Sequence, residues 1–294
     1  MGIIPVNKPC GWTSFDVCAK LRGLLKIKRV GHGGTLDPMA TGVLPVFVGK
    51  ATKACDILPE KPKLYTACFE LGLSTDTQDI SGEVIERSEK KASREQLEAA
   101  AKGFVGEIMQ LPPMYSAVKV DGKRLYELAR EGKSVERQAK RRRIDFINIT
   151  DFDEQTQAGK MDVSVSKGTY VRTLINDIGR SLGTLAVMTA LERTSACGFD
   201  TKQCFSIGQL EKMSEENTLE RAVMPLERAF DYPSLILSER QTKLYKNGVK
   251  LRAQQLEISR AEQTYCIFDS EKIFIAIARL DTAKGELRSV KNFY

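Results

Sequence analysis

Along this 294-residue chain the apolar positions switch repeatedly between a period of two and a period near 3.6. The run Leu64-Tyr65-Thr66-Ala67-Cys68-Phe69-Glu70-Leu71 alternates, so a strand places Tyr65, Ala67, Phe69 and Leu71 on one face. Asp79-Ile80-Ser81-Gly82 then reads as a turn, with Glu83-Val84-Ile85 returning from it. Residues 145–149 and 161–166 predict further strands. Helical spacing begins at Val17, Leu21 and Leu24, just after the N-cap signature Thr13-Ser14-Phe15-Asp16. Ser93 and Gln96 make a capping box ahead of the stripe Leu97, Ala100, Ala101 and Phe104. A third stripe, Leu174, Ile175, Ile178 and Leu182, stops at Gly183 and puts Arg172 near a strand-to-helix junction. A helical stretch near 207–229 leads to Tyr232-Pro233, where proline restricts its predecessor and marks a boundary. Strand-like runs at 265–268 and 272–278 follow. The pattern predicts a mixed α/β domain over residues 1–230 and a small β-rich domain over 231–294.

Composition narrows the class. Hydrophobic residues make up 42% and charged residues 28%, which is ordinary for a soluble protein with a real core. No run of about eighteen apolar residues is present, so no membrane span is expected. The opening Met1 to Pro9 lacks the layout of a secretory leader. The seven cysteines are odd in number and form no C-x-x-C pair. They read as small buried hydrophobes in a reducing cytoplasm, with no disulfide framework and no zinc site. His32 is the one histidine, which excludes His-rich metal sites and leaves any Ser-His or Cys-His pair dependent on it. Net charge is +7, and residues 119–143 hold ten basic against four acidic side chains. Such a segment suits a polyanion such as nucleic acid, or it is a solvated helix with its own ion pairs.

Candidate chemistry centres on residues 31–46, GHGGTLDPMATGVLPV. Its glycines let the backbone approach a ligand closely, and Pro38 stiffens the chain directly after Asp37. Apolar Val43-Leu44-Pro45-Val46 anchors the far side. A rigid catalytic carboxylate would be mounted this way, and so would an aspartate that merely caps a loop.

The ordered set of motifs resembles the TruB family of tRNA pseudouridine synthases. It comprises NKPxGxTS at Asn7 to Ser14, GHxGTLDPxAxGVLPV at Gly31 to Val46, Tyr65 and TDTxDxxG from Thr75 to Gly82. Pro112 to Lys119 resembles PPxxSAxK, with Gly122 to Tyr126 following. Ser166 to Arg172 matches SKGTYxR, and Leu191 to Thr194 matches LxRT. The resemblance covers about residues 3–200. It implies an α+β fold: a pseudouridine synthase domain with a mixed, largely antiparallel sheet flanked by helices, then a PUA-like RNA-binding domain. It also implies an isomerase that converts uridine 55 in the tRNA T-loop to pseudouridine, without cofactor or metal, on a base flipped out of the RNA. By the same resemblance Asp37 is the catalytic nucleophile, with attack on C1′ and base action on the sugar both left open. Arg172 pairs with it, and Tyr65 stacks on the base and is the proposed base toward C5. Leu191 is a pocket wall and His32 inserts near the gap in the RNA. Lys8, Thr35, Asp79, Lys119 and Tyr170 complete the substrate-binding set. Taken singly, Tyr65 and Leu191 also read as core, Arg172 as a surface cation and His32 as a structural histidine. The basic segment, about 116–143, resembles an insert that clamps the RNA stem–loop. The expected partner is tRNA alone, bound by a monomer with no obligatory protein partner and no membrane. Alternatives are a guide-RNA-dependent synthase subunit and a non-catalytic RNA-binding or folding protein.

Overall fold

The computed structural model describes residues 1–120, 122–256, 258 and 263–294. Its strands in chain order begin with β1 (Gly2–Lys8), β2 (Val30–His32), β3 (Thr41–Val48), β4 (Lys63–Leu71), β5 (Leu73–Thr75) and β6 (Val84–Arg87). They continue with β7 (Gly106–Gln110), β8 (Lys119–Val120), β9 (Lys123–Arg124), β10 (Lys140–Asp153), β11 (Ala158–Val165), β12 (Ala186–Ala196) and β13 (Phe199–Asp200). The helices of this part are α1 (Ser14–Leu25), α2 (Arg94–Lys102), α3 (Leu125–Arg130), α4 (Val171–Leu182) and α5 (Ile207–Glu215).

One sheet organises the first 200 residues, in the order β1-β3-β12-β4-β11-β10-β7, with β2 beside β3 and β13 beside β12. Every pairing in it is antiparallel except β12 on β3, which is parallel and joins only Glu192 to Thr41 and Arg193 to Gly42. The two strands part on either side of this short contact. Gly42 has φ +97°, and a Cβ there would lie 2.3 Å from the Arg193 carbonyl oxygen, so only glycine permits the junction. The β4 alternation is as expected, with Tyr65, Ala67, Phe69 and Leu71 all buried. Thr13 caps α1 and Ser93 caps α2, each with a reciprocal capping box, and Gly183 ends α4 at φ +69°.

Three elements differ from expectation. The strand predicted at 145–149 is the middle of β10, whose first residues pair Lys140 to Ile144 with β7. Charged side chains at Lys140 to Arg143 hide its alternation, and these arginines belong to the sheet rather than to the insert. The insert itself is the β8–β9 hairpin followed by α3. The stretch 207–229 is one helix and two single turns, Leu219–Ala222 and Leu226–Ala229, because Asn217 takes a left-handed φ of 55° and Pro225 interrupts the ladder. The run at 272–278 starts its strand two residues late, since Lys272 occupies a turn at φ 61°.

The remaining residues form a second sheet, ordered β14 (Ser234–Ile236), β15 (Thr264–Phe268), β16 (Phe274–Asp281) and β17 (Glu286–Asn292), with α6 (Glu239–Lys246). Leu237, Tyr245, Ile267 and Leu280 fill its own core. A second apolar cluster is shared with the first part: Phe47, Ala51, Phe199 and Phe230 meet Cys266, Phe274, Ile277 and Phe293. Lys291 pairs with Asp56 at 2.6 Å across the same junction.

Candidate active site

The loop from Gly33 to Pro38 leaves no carbonyl without a donor. Cys197 Sγ donates to Gly33 O at 3.7 Å, and Arg193 donates to Gly34 O at 3.0 Å and Thr35 O at 3.3 Å. Ser14 Oγ donates to Leu36 O at 3.2 Å and accepts from Leu36 N–H at 2.8 Å. Ala40 N–H donates to Asp37 O at 3.0 Å, and Gly11 N–H to Pro38 O at 2.9 Å. Buried carbonyls demand partners, and here they come from the chain before the loop (Gly11, Ser14), just after it (Ala40) and far beyond it (Arg193, Cys197), which fixes the loop in place. Arg193 is fully buried on β12, and its Nε also donates to Val43 O at 2.7 Å, tying the start of the loop to β3.

Lys8 is fully buried beneath this loop, and its ammonium donates to Pro9 O at 2.8 Å, Trp12 O at 2.6 Å and Pro38 O at 3.1 Å. All three donors are used, so Lys8 clamps the loop from below instead of facing substrate as expected. Burial pushes its pKa down to about 8.

Asp37 projects from the loop toward α4, its Oδ2 3.6 Å from Arg172 Nη1. The same Nη1 lies 3.3 Å from Asp79 Oδ2, and Nη2 donates to the Tyr115 carbonyl. Arg172 is 5% exposed and Asp79 is buried with it, whereas the Asp37 side chain is 32% exposed. Asp79 therefore compensates the buried guanidinium, and Asp37 is the carboxylate left open. Asp79 Oδ1 is itself held by Thr77 Oγ1 at 2.9 Å and by Ser81 N–H at 3.1 Å. The Tyr170 ring flanks Arg172, with Cζ 5.8 Å from its centroid. Enclosure by surrounding protein pushes the Asp37 pKa up. Arg172 pulls against that, Asp79 reinforces it, and Lys8 opposes it.

Tyr65 lies opposite Arg193 in the β4–β12 ladder, and Leu191 lies opposite Ala67, so Tyr65 and Leu191 are diagonal neighbours on one face. Both are buried in the cluster that contains Leu36 and Val171. Thr35 is exposed on the loop. Lys119 is exposed in the β8–β9 hairpin and joins the group through no contact among the described residues. His32 sits apart as well. It lines a cleft of about 140 Å³ with Gly33, Gly34, Leu58, Lys63 and Lys167. Burial first, then Arg193 and Lys63, push its pKa down, so the imidazole is neutral at pH 7.

This arrangement presents an open carboxylate, a buried arginine that keeps it oriented, and an apolar wall carrying one tyrosine. Residues 22–171 match the profile of the TruB family pseudouridylate synthase N-terminal domain. Residues 172–231 match the tRNA pseudouridylate synthase B C-terminal domain. The chain belongs to the TruB family. A tRNA pseudouridine synthase B of Clostridium novyi is 44% identical over 285 residues, covering 97% of this chain and 96% of the relative. One of Pediococcus pentosaceus is 43% identical over 264 residues, covering 87% and 88%. One of Fusobacterium nucleatum is 43% identical over 281 residues, covering 95% and 96%. A chain of a Cbf5-Nop10-Gar1 complex shares the fold at TM-score 0.75 and 25% identity, covering all of this chain and 85% of that one. No helix among the described residues is long and apolar enough to cross a membrane.

In this TruB-family chain, sequence reasoning missed the residues that hold the loop. Arg193 lies inside the LxRT match, yet nothing in its spacing shows that its fork reaches three carbonyls on two segments. Ser14 reads as part of an N-cap region and as the last residue of the NKPxGxTS match, neither of which shows that its hydroxyl serves Leu36. Tyr115 contributes through its backbone, which no side-chain pattern reports.

Proposed function

We propose that this protein isomerises uridine to pseudouridine at position 55 in the T-loop of tRNA, acting alone in the cytoplasm. The observation that carries the reading is the half-open Asp37 carboxylate, set on a loop whose every carbonyl is bonded and paired with buried Arg172. The C1′–N1 bond of a flipped uridine breaks beside Asp37, which serves as the nucleophile at the sugar. The freed uracil turns within the wall formed by Tyr65 and Leu191, and its C5 attacks C1′, forming the C1′–C5 bond as the C1′–Asp37 bond breaks. Tyr65 takes the proton from C5, and N1, which left C1′ with the bonding pair, takes one up, so the isomer carries the same atoms as uridine. Flipping costs roughly a few kcal/mol of stacking, and RNA contacts must offset it. His32, neutral and beside the loop, is suited to fill the gap in the RNA. The exposed Lys119, Lys123 and Arg124 of the β8–β9 hairpin supply phosphate contacts, and the four-stranded C-terminal module acts as a PUA-like RNA-binding domain. Relatives named tRNA pseudouridine synthase B, more than 40% identical along most of the chain, favour this reading over a guide-RNA-dependent one. Purified protein mixed with unmodified tRNA, with no guide RNA and no added protein, should form pseudouridine at a single uridine. No product under those conditions refutes the stand-alone enzyme.

A further inference from the structure

The cleft beside the loop holds charge that the chemistry above does not use. Lys61, Lys63 and Lys167 line it, together with His32, Cys55, Leu58, Pro59 and Cys197. Lys61 is paired with Asp231 at 2.6 Å. Lys63 and Lys167 have no carboxylate within ion-pair reach among the described residues. Behind them stands the Arg193 guanidinium, also without a carboxylate. Lys63 Nζ lies so near Gly34 that a Cβ there would be 2.9 Å from it. His32 Nδ1 is buried with no hydrogen-bond partner among the described residues. A half-buried ammonium beside a buried guanidinium, facing an orphan ring nitrogen, is a costly arrangement in an empty protein. An incoming anion removes the cost.

We propose that this cleft is a phosphodiester subsite for the RNA strand next to the reacting uridine, with Lys63 and Lys167 as its cations. The inference rests on the proposed function, because it takes RNA as the ligand. Its placement is specific: Gly33 and Gly34 form the cleft wall and continue directly into the Asp37 loop. A phosphate held there fixes the strand's position relative to the catalytic carboxylate. The apolar floor of Leu58 and Pro59 keeps the contact partly dry and so strengthens it.

Lys63 supplies a readout that a structural lysine would lack. Burial, then Arg193 and Lys167, push its pKa down to about 8, with Cys197 opposing them. Around pH 8 the free cleft is therefore only partly protonated, and a bound phosphate draws a proton in. The titratable and charged groups facing it are His32, Cys55, Lys61 with its Asp231, Lys167, Arg193 and Cys197.

The test is calorimetric titration with an unmodified T-arm RNA hairpin at pH 8, in two buffers of different ionisation enthalpy. Salt dependence and turnover are measured on the same RNA. The native protein should take up a fraction of a proton on binding, and Lys63→Met should abolish that uptake. Lys63→Met and Lys167→Gln should each raise Kd about tenfold and lower the slope of log K against log salt by about 0.7–0.9. Lys102→Gln, an exposed charge on α2, should leave the slope as it is. Lys167 is exposed, so its variant keeps the test decisive if Lys63→Met fails to fold. An unchanged Kd and slope in Lys167→Gln, with native turnover intact, overturns the subsite alone. A native protein that neither binds nor converts this RNA overturns the functional reading as well.

Discussion

Replacing Arg193 by lysine isolates the part of the site that positions Asp37 without touching it. The native guanidinium uses Nε on Val43 and its two Nη groups on Gly34 and Thr35, at 2.7–3.3 Å. A lysine keeps the charge but carries its donors on one atom, so it cannot serve β3 and the loop together. One or two buried carbonyls then lose their partner, at about 1–3 kcal/mol each. The expected loss is about 2–4 kcal/mol, which a domain stable by roughly 5–15 kcal/mol survives. Melting should move down by roughly 5–15 °C. The catalytic effect is larger in proportion, since a loop displaced by about 1 Å costs on the order of a hundredfold in rate. The assay is single-turnover pseudouridine formation at saturating tRNA, with RNA affinity and thermal unfolding measured in parallel. The turnover constant should fall while Kd stays within about threefold, because Arg193 offers no group to the RNA. A variant that melts lower yet turns over at the native rate refutes the reasoning, for Asp37 would then hold its place without the clamp.

Asp37→Asn should abolish turnover and leave tRNA binding intact, as read by product formation and filter binding. It should also melt higher than the native protein at pH 7. Enclosure raises the native Asp37 pKa, so ionised Asp37 costs the folded state stability that returns as pH falls through that raised value; the gain from asparagine should vanish in acid. Arg172→Gln removes the cation that opposes this rise, so the acidic limb of the pH–rate profile should move to higher pH, and an unmoved limb would separate Arg172 from the ionisation of Asp37. Neutralising Lys119, Lys123 and Arg124 should flatten the salt dependence of tRNA binding more than neutralising Arg141 and Arg143 does. Arg141 and Arg143 are already paired, with Glu107 and Asp145 respectively; an equal effect from both sets would count against the hairpin.

Local features were the legible ones. Alternation marked β4, an N-cap signature marked α1, a capping box marked α2 and a glycine marked the end of α4, because each depends on neighbours within about one turn or one pleat. The motif order identified the family and brought Asp37, Arg172, Asp79 and Tyr170 together as candidates, and the structure places the other three around the Arg172 guanidinium. What stayed hidden depends on chain segments far apart. The parallel β3–β12 contact links Gly42 to Arg193, and only that contact turns an arginine in a short motif into a fork under the loop. The resemblance placed Lys8 with the substrate-binding residues, and its burial follows from carbonyls 1, 4 and 30 residues away. The basic run at Lys140 to Arg143 looked like part of a mobile insert because backbone pairing with β7 leaves no trace in a charge count.

The shared apolar cluster at Phe47, Phe199, Phe274 and Phe293 bears on how this chain can be cut. The boundary near residue 230 divides two sheets, but the shared cluster predicts that it does not divide two independent folding units. A catalytic fragment ending there would leave Phe47 of β3 facing water, together with Ala51 in the turn after it and Phe199 of β13, and β3 is the strand that receives the Asp37 loop. Loss of the small module would therefore be felt as insolubility and a loosened β3 before it was felt as weaker contact with RNA. The two parts have separate sheets, and the shared cluster should make them melt in one transition.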